Sequence, residues 1–200
     1  MNVNVLETSD PVKETSDPVK ETSDPVKETS DPVNPMKNIR ISKVCINIGL
    51  GKSGEIVEKA KAVLAQIVGQ TVGESYAKKT LRDFGIRKGD PIGVVVTLRK
   101  KLAEEKLKLL FTAKENRISK YSFDKNGGCS FGIKEHIELP GVKYDPNLGI
   151  FGMDVTTVLD RPGFRITKKK RMKGVVGQNH RVTKAEAINF FKSTLNIEVY

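Results

Sequence analysis

Asn47–Glu55 reads NIGLGKSGE, which puts glycines at 49, 51 and 54 directly after an apolar run and at the mouth of a helix. That Gly-x-Gly-x-x-Gly spacing is the formal signature of a dinucleotide-binding turn. Gly51-Lys52-Ser53 also matches the tail of a triphosphate-binding loop. A dinucleotide turn belongs to a doubly wound parallel sheet, whose next strand is buried on both faces and ends near an acidic residue. The acid at that distance is Glu74, in TVGESYAKKTLRDFG, a stretch too polar and too basic for such a strand. The triphosphate loop fails too, because its first glycine would fall on Ile46. What stands is a glycine-rich strand-to-helix turn, at which a phosphate or ribose can approach the backbone and the positive end of the helix. A nucleotide-cofactor enzyme using Gly49–Gly54 is the alternative.

The flanks complete the fold reading. Ile39–Ile48 alternates as a strand, with Val44, Ile46 and Ile48 on one face and Cys45 and Asn47 on the other. Ser53–Val68 is an amphipathic helix with Ser53 as its cap, Ile56, Ala60, Val63, Leu64 and Ile67 on one face, and Gly69 as its stop. Gln70–Pro91 reads as strand ends and loop, Ile92–Leu98 as a β-branched strand, and Leu102–Lys114 as a helix. YSFDKNGGCSFGI predicts a hairpin about Asn126-Gly127. Phe151–Leu159 alternates as a strand, and Thr183-x-x-Glu186 opens a last helix with a capping box. Hairpin-joined strands with helices inserted between them predict an α+β fold, an antiparallel β-sheet with helices packed on one face.

Charge is distributed unevenly. The chain carries a formal +11, yet residues 1–34 hold eight acids against three lysines, so residues 35–200 hold +16. A compact domain with that excess calls for an anionic partner, and nucleic acid fits it better than a membrane surface. Residues 1–34 repeat ETSDPVK four times, the last copy ending in Asn34. One proline per repeat, each costing about 3 kcal/mol in a helix interior, rules against a coiled coil. A disordered heptad-repeat arm is therefore expected over 1–34, before a single domain over 35–200. No apolar run approaches the roughly 20 residues of a membrane span. The acidic start is no signal peptide.

Lys78, Lys79, Arg82, Arg87 and Lys88 are interleaved with Tyr76 and Phe84, and the next element ends in Thr97, Arg99, Lys100 and Lys101. Cations among hydroxyls and aromatics grip sugar-phosphate and stack on unpaired bases. Lys168, Lys169, Lys170, Arg171 and Lys173 form a second basic run. His136 and His180 have no neighbouring cysteine or carboxylate cluster at ligand spacing, so no metal site is expected. Cys45 and Cys129 read as small hydrophobes in a reducing interior, with a reactive pair as the lesser reading. No catalytic residues and no cofactor are expected.

NIGLG, KKTLRDFGIRKGDPIGVVVTLR, SFGIKEHIELPGVKYDPNLGIFGMDV, RPGFRITKKKRMKG and HRVTKAEAINFFK together resemble the universal 5S-rRNA-binding protein family of the large ribosomal subunit, family five. The basic block after RPGFR resembles the archaeal and eukaryotic branch, and the short end after FFK the archaeal form. The repeats have no counterpart in that resemblance. It implies a non-enzymatic constituent of the central protuberance, ribosome-bound in the cytoplasm and acting in translation. It places Asn47, Gly49, Gln70, Lys78, Lys79, Thr80, Thr97 and Arg99 at 5S rRNA. A loop carrying Arg82, Phe84, Gly85, Ile86, Arg87 and Lys88 is placed toward the peptidyl-site tRNA. Lys168, Lys169, Lys170, Arg171, Lys173, His180 and Arg181 are placed against 23S rRNA. FGIKEHIELPGVKYDP would face protein thirteen of the small-subunit head, with other large-subunit proteins as neighbours.

Overall fold

The computed structural model describes residues 34–142 and 145–200; the repeats up to residue 33, and with them the expected disordered arm, lie outside the described residues. The strand expected over Ile39–Ile48 is β1 (Arg40–Gly49), and it lies mid-sheet. After β1 come α1 (Glu55–Val68), β2 (Gly73–Tyr76), β3 (Pro91–Leu98), α2 (Lys100–Ala113) and the short β4 (Arg117–Ile118). β5 (Cys129–Ile133), β6 (Met153–Asp160), α3 (Arg165–Lys168), α4 (Lys184–Leu195) and β7 (Glu198–Val199) complete the order. The main sheet runs β2-β3-β1-β6-β5 with every pairing antiparallel, while β4 and β7 form a small parallel ribbon.

Period-2 alternation splits this sheet into two unlike faces. Val44, Ile46 and Ile48 of β1, Val94, Val96 and Leu98 of β3, and Met153, Val155 and Leu159 of β6 are buried. α1 packs on β3 and α2 on β1. α4 adds Ala187 and Phe191, so α1, α2 and α4 share one core with that face. An aromatic cluster fills the centre: Phe111 stacks on Phe131 at 4.8 Å, and Phe191 meets Phe111 and Phe123 edge-on at 5.8 and 5.4 Å.

Topology answers the cofactor question. β1 has antiparallel neighbours on both sides, and β2, the strand after α1, sits at the sheet edge against β3. The parallel pair on which a dinucleotide turn is built is therefore missing. The Leu50 and Gly51 amides both donate to the Ile92 carbonyl, at 3.1 and 3.2 Å, and so cannot cradle a phosphate. Gly51 (φ +66°) and Gly54 (φ +109°) are glycine because the turn enters left-handed backbone at these positions. Glu74 accepts from Lys61 Nζ at 2.6 Å and from Tyr76 Oη at 2.9 Å, fixing edge strand β2 to α1. These bonds hold its carboxyl below the ordinary value and raise those of Lys61 and Tyr76.

Several local expectations need correction. The α1 cap is Gly54, with no side-chain bond, and not Ser53. Ile56 is exposed and Val57 takes its place in the core, because Val57 shares the stripe of Ala60, Leu64 and Ile67 at helical spacing. The hairpin about Asn126-Gly127 shrinks to one bridge, Phe123 with Cys129, since Lys120–Ser122 makes a 3-10 turn and β5 pairs with β6 instead. Cys129 is buried and Cys45 lies on the opposite face, both free, so the reactive pair falls away. Burial pushes the Cys129 thiol up to about 12, keeping it neutral.

The capping box of α4 forms as expected, with Thr183 and Glu186 exchanging bonds. Glu186 is also gripped by Arg161, which is buried, through Nη2 at 2.7 Å. The Thr183 amide, with Arg161 adding to it, holds the Glu186 carboxyl below the ordinary 4.5. A carboxyl whose value is lower folded than unfolded gives stability that is complete above the unfolded value and lost as pH falls through the folded one. The decline in melting temperature below pH 4.5 should thus be shallower in Glu186→Gln than in the parent. Superimposable pH profiles would show that this contact does not titrate with folding.

Candidate nucleic-acid interface

Helices cover one face of the sheet and leave the other open. Register places Lys43, Cys45, Asn47 and Gly49 of β1 on it, beside Val95 and Thr97 of β3 and Asp154 and Thr156 of β6. Ser130 on β5 and Ser75 on β2 extend it to both edges. The residues are small, polar or glycine, with no aromatic among them, so the surface is flat and able to hydrogen-bond. Asn47, Thr97, Asp154, Thr156 and Ser130 are exposed. Two contacts stitch across it, Cys45 Sγ with Thr97 Oγ1 at 3.6 Å and Ser130 Oγ with Thr156 Oγ1 at 3.2 Å. In the pair Gly49–Gly93, Gly49 is exposed while Gly93 is buried against β1, where a Cβ on it would stand 2.8 Å from the Ile48 carbonyl oxygen.

Cations bracket this face at both ends. At the Gly49 end, residues 77–90 prolong β2 and β3 into a hydrogen-bonded hairpin. The Ala77 amide donates to Asp90 O and the Gly89 amide to Ala77 O, both at 2.9 Å. Leu81 bridges Ile86, and Gly85 turns the tip at φ +67°. Side chains brace it as well: Asp90 Oδ2 accepts from the Arg87 amide at 2.9 Å and Thr80 Oγ1 from the Lys88 amide at 3.0 Å. Lys78, Lys79, Arg82, Arg87 and Lys88 project from this frame, all exposed, and among the described residues none forms an ion pair. Phe84 is 70 % exposed at the tip. Ile86 is buried, so its side chain anchors the hairpin and is unavailable for contact.

At the other end, where β1 begins and β3 and β6 finish, lie Arg99 and the second basic run. Lys168 Nζ binds Asp160 Oδ2 at 2.6 Å and comes within 3.5 Å of Ser42 Oγ. That pair ties the run to β6. Lys169, Lys170, Arg171 and Lys173 are exposed beyond it. His180 Nε2 lies 2.8 Å from the Pro162 carbonyl oxygen, and the Arg181 carbonyl accepts from Arg161 Nη1 at 3.4 Å. His180 and the Arg181 backbone thus have architectural roles, while the Arg181 side chain is exposed. Gln70, exposed just past the α1 terminus, flanks a shallow depression with Thr71.

The candidates do not form one cluster; they run along the open face and past both its ends. Lys43, Ser130 and Thr156 share that face but were missed. The alternation of β1 and β6 carried a signal for Lys43 and Thr156, while Ser130 depended on knowing that β5 pairs with β6. No group of potential metal ligands occurs among the described residues, and no helix there is long and apolar enough to cross a membrane.

Comparison with known proteins gives this surface its context. The family model for ribosomal protein L5 matches residues 34–87, starting where the repeats end, and the model for the C-terminus of the same ribosomal family matches residues 91–190. The large ribosomal subunit protein uL5 of Pyrobaculum aerophilum is 51 % identical over 166 residues, 83 % of this chain and 93 % of that one. The protein of the same name from Methanococcoides burtonii is 46 % identical over 166 residues, covering 83 % and 98 %, and that of Archaeoglobus fulgidus 49 % over 160, covering 80 % and 89 %. A polar, helix-free sheet face set between cations is what a structural protein embedded in ribosomal RNA requires, and this chain belongs to the ribosomal protein L5 family in its archaeal form, a constituent of the large ribosomal subunit and not an enzyme.

Proposed function

We propose that this chain binds 5S rRNA in the central protuberance, as one rRNA-binding domain over residues 35–200 with a basic C-terminal extension. The observation that carries the proposal is the open sheet face bracketed by exposed cations, those of the 77–90 hairpin forming no ion pair among the described residues. Asn47, Gly49, Gln70 and Thr97 supply hydrogen bonds and close backbone approach. Lys78, Lys79 and Arg99 supply phosphate neutralisation. Thr80 contributes by holding the hairpin through its bond to Lys88. The hairpin, with Arg82, Phe84, Gly85, Arg87 and Lys88, reaches toward the peptidyl-site tRNA. Lys168–Lys173 and Arg181 lie against 23S rRNA, and the segment around His136 faces protein thirteen of the small-subunit head.

Phosphate contacts set how tightly the protein binds, while contacts to ribose and base edges set where. Binding is measured against 5S rRNA and an equal-length unrelated structured RNA at near-physiological salt; equal affinities would contradict the proposal. Within 5S binding, Lys79→Ala should lower the log–log salt slope by about one, while Asn47→Ala weakens binding with little change of slope. Indistinguishable behaviour of the two would undo the division of labour.

A further inference from the structure

From Arg161 to Thr183 the chain has no acidic side chain, yet it carries Met172 at 95 % and Val175 at 84 % exposure amid its lysines. Exposed apolar residues within a cationic segment suit a partner that is both planar-apolar and anionic. Beside them lies a groove of about 480 Å³. Its floor is Leu159 of β6 and Val182, and one wall is Phe164 with Thr167. The other wall is the segment Lys173–Val176, tied back to α3 by the Gly174 amide on Ile166 O at 3.3 Å. Lys173 and Arg181, both exposed, line the groove, and Asn126 joins the lining from the turn before β5.

Phe164 is held in place from behind. Gly163, at φ +95°, turns the chain so that the Phe164 ring lies 5.9 Å from that of His180 at 30°, and His180 is itself fixed by the Pro162 carbonyl. A pre-positioned ring, apolar walls, an amide able to read a base edge and two rim cations are the elements by which proteins hold an unstacked nucleotide. The volume lies within the range of sites for small planar ligands. We propose that this groove receives one splayed-out base of ribosomal RNA, stacked against Phe164, with the flanking phosphates on Lys173 and Arg181. The proposal rests on rRNA binding by the family and not on the 5S assignment.

The probe is a hexanucleotide with a central 5-iodouridine, irradiated with the full-length protein, alongside an abasic oligonucleotide of equal length. The expected crosslink falls on Phe164, and the base-bearing oligonucleotide binds roughly tenfold tighter than the abasic one, the effect of one base stack. Phe164→Leu and Asn126→Ala, each checked for an unchanged melting temperature, should reduce that ratio while leaving abasic binding and the salt slope as they were. Should Phe164→Leu melt early, Asn126→Ala and the crosslink position still decide. Crosslinks confined to Tyr76, Phe84 or Tyr121, or a ratio untouched by Asn126→Ala, would overturn the site. So would binding of anionic vesicles without any base-to-abasic preference. A failure of 5S discrimination leaves each of these readouts intact, so the two proposals fail separately.

Discussion

Replacing Lys78, Lys79 and Arg99 together by alanine should cost roughly two-hundredfold in affinity for 5S rRNA at about 0.1 M salt while leaving the fold intact. Each cation on a phosphate releases counterions worth a slope of roughly 0.7–0.9, which at about 0.1 M salt is about five- to eightfold. Three such contacts multiply to a loss of that order, and the log–log salt slope should fall by about two to three. Stability is spared for a structural reason. The three side chains are exposed and form no ion pair among the described residues, and the hairpin that carries two of them is held by backbone bonds together with Thr80 and Asp90. Exposed substitutions of this kind fall within about 0.5 kcal/mol each. Titration of a labelled RNA across a salt series gives the slope directly. A loss below tenfold would place RNA binding elsewhere on the molecule.

The second large effect is in the core. Phe191 is completely buried, with rings of Phe111, Phe123 and Phe190 at 5.8, 5.4 and 6.1 Å. Phe191→Ala removes the side chain that joins α4 to α2 and to the segment before β5, and should cost about 3–5 kcal/mol. Domains of this size are stable by only about 5–15 kcal/mol, so the midpoint in urea should drop markedly. Phe191→Leu keeps most of the volume but loses the edge-on contacts, worth about 0.5–1.5 kcal/mol each, and should fall between the two. A cost under about 1 kcal/mol for the alanine variant would mean that α4 docks by some other means.

Legibility in the sequence followed how local the physics was. The alternation in Val44–Ile48 was enough for β1 and for its open face, and Thr183-x-x-Glu186 was enough for the α4 cap, because both are set within a few residues. Ser53 misled because a capping side chain competes with the backbone of the turn, and Gly54 at φ +109° already turned the chain. Asn126-Gly127 did make a turn, but whether two strands flank it depended on β6, which claims β5 through pairs such as Ser130 with Thr156, 26 residues apart. The basic hairpin read as loop because Lys, Arg and Gly mask a ladder of backbone bonds that the Asp90 and Thr80 side chains brace. As to the candidate site, cations were visible one by one, but their placement at opposite ends of one face came only from the register of β1 with β3 and β6.

The central position of β1 has a temporal cost during translation. Its two neighbours are β3, ending at Leu98, and β6, starting only at Met153. About 50 residues of nascent chain separate them, on the order of 3–10 s at the usual pace of synthesis. Through that interval the growing polypeptide presents the amides and carbonyls of Arg40–Gly49 as a bare strand edge, the kind that recruits stray chains.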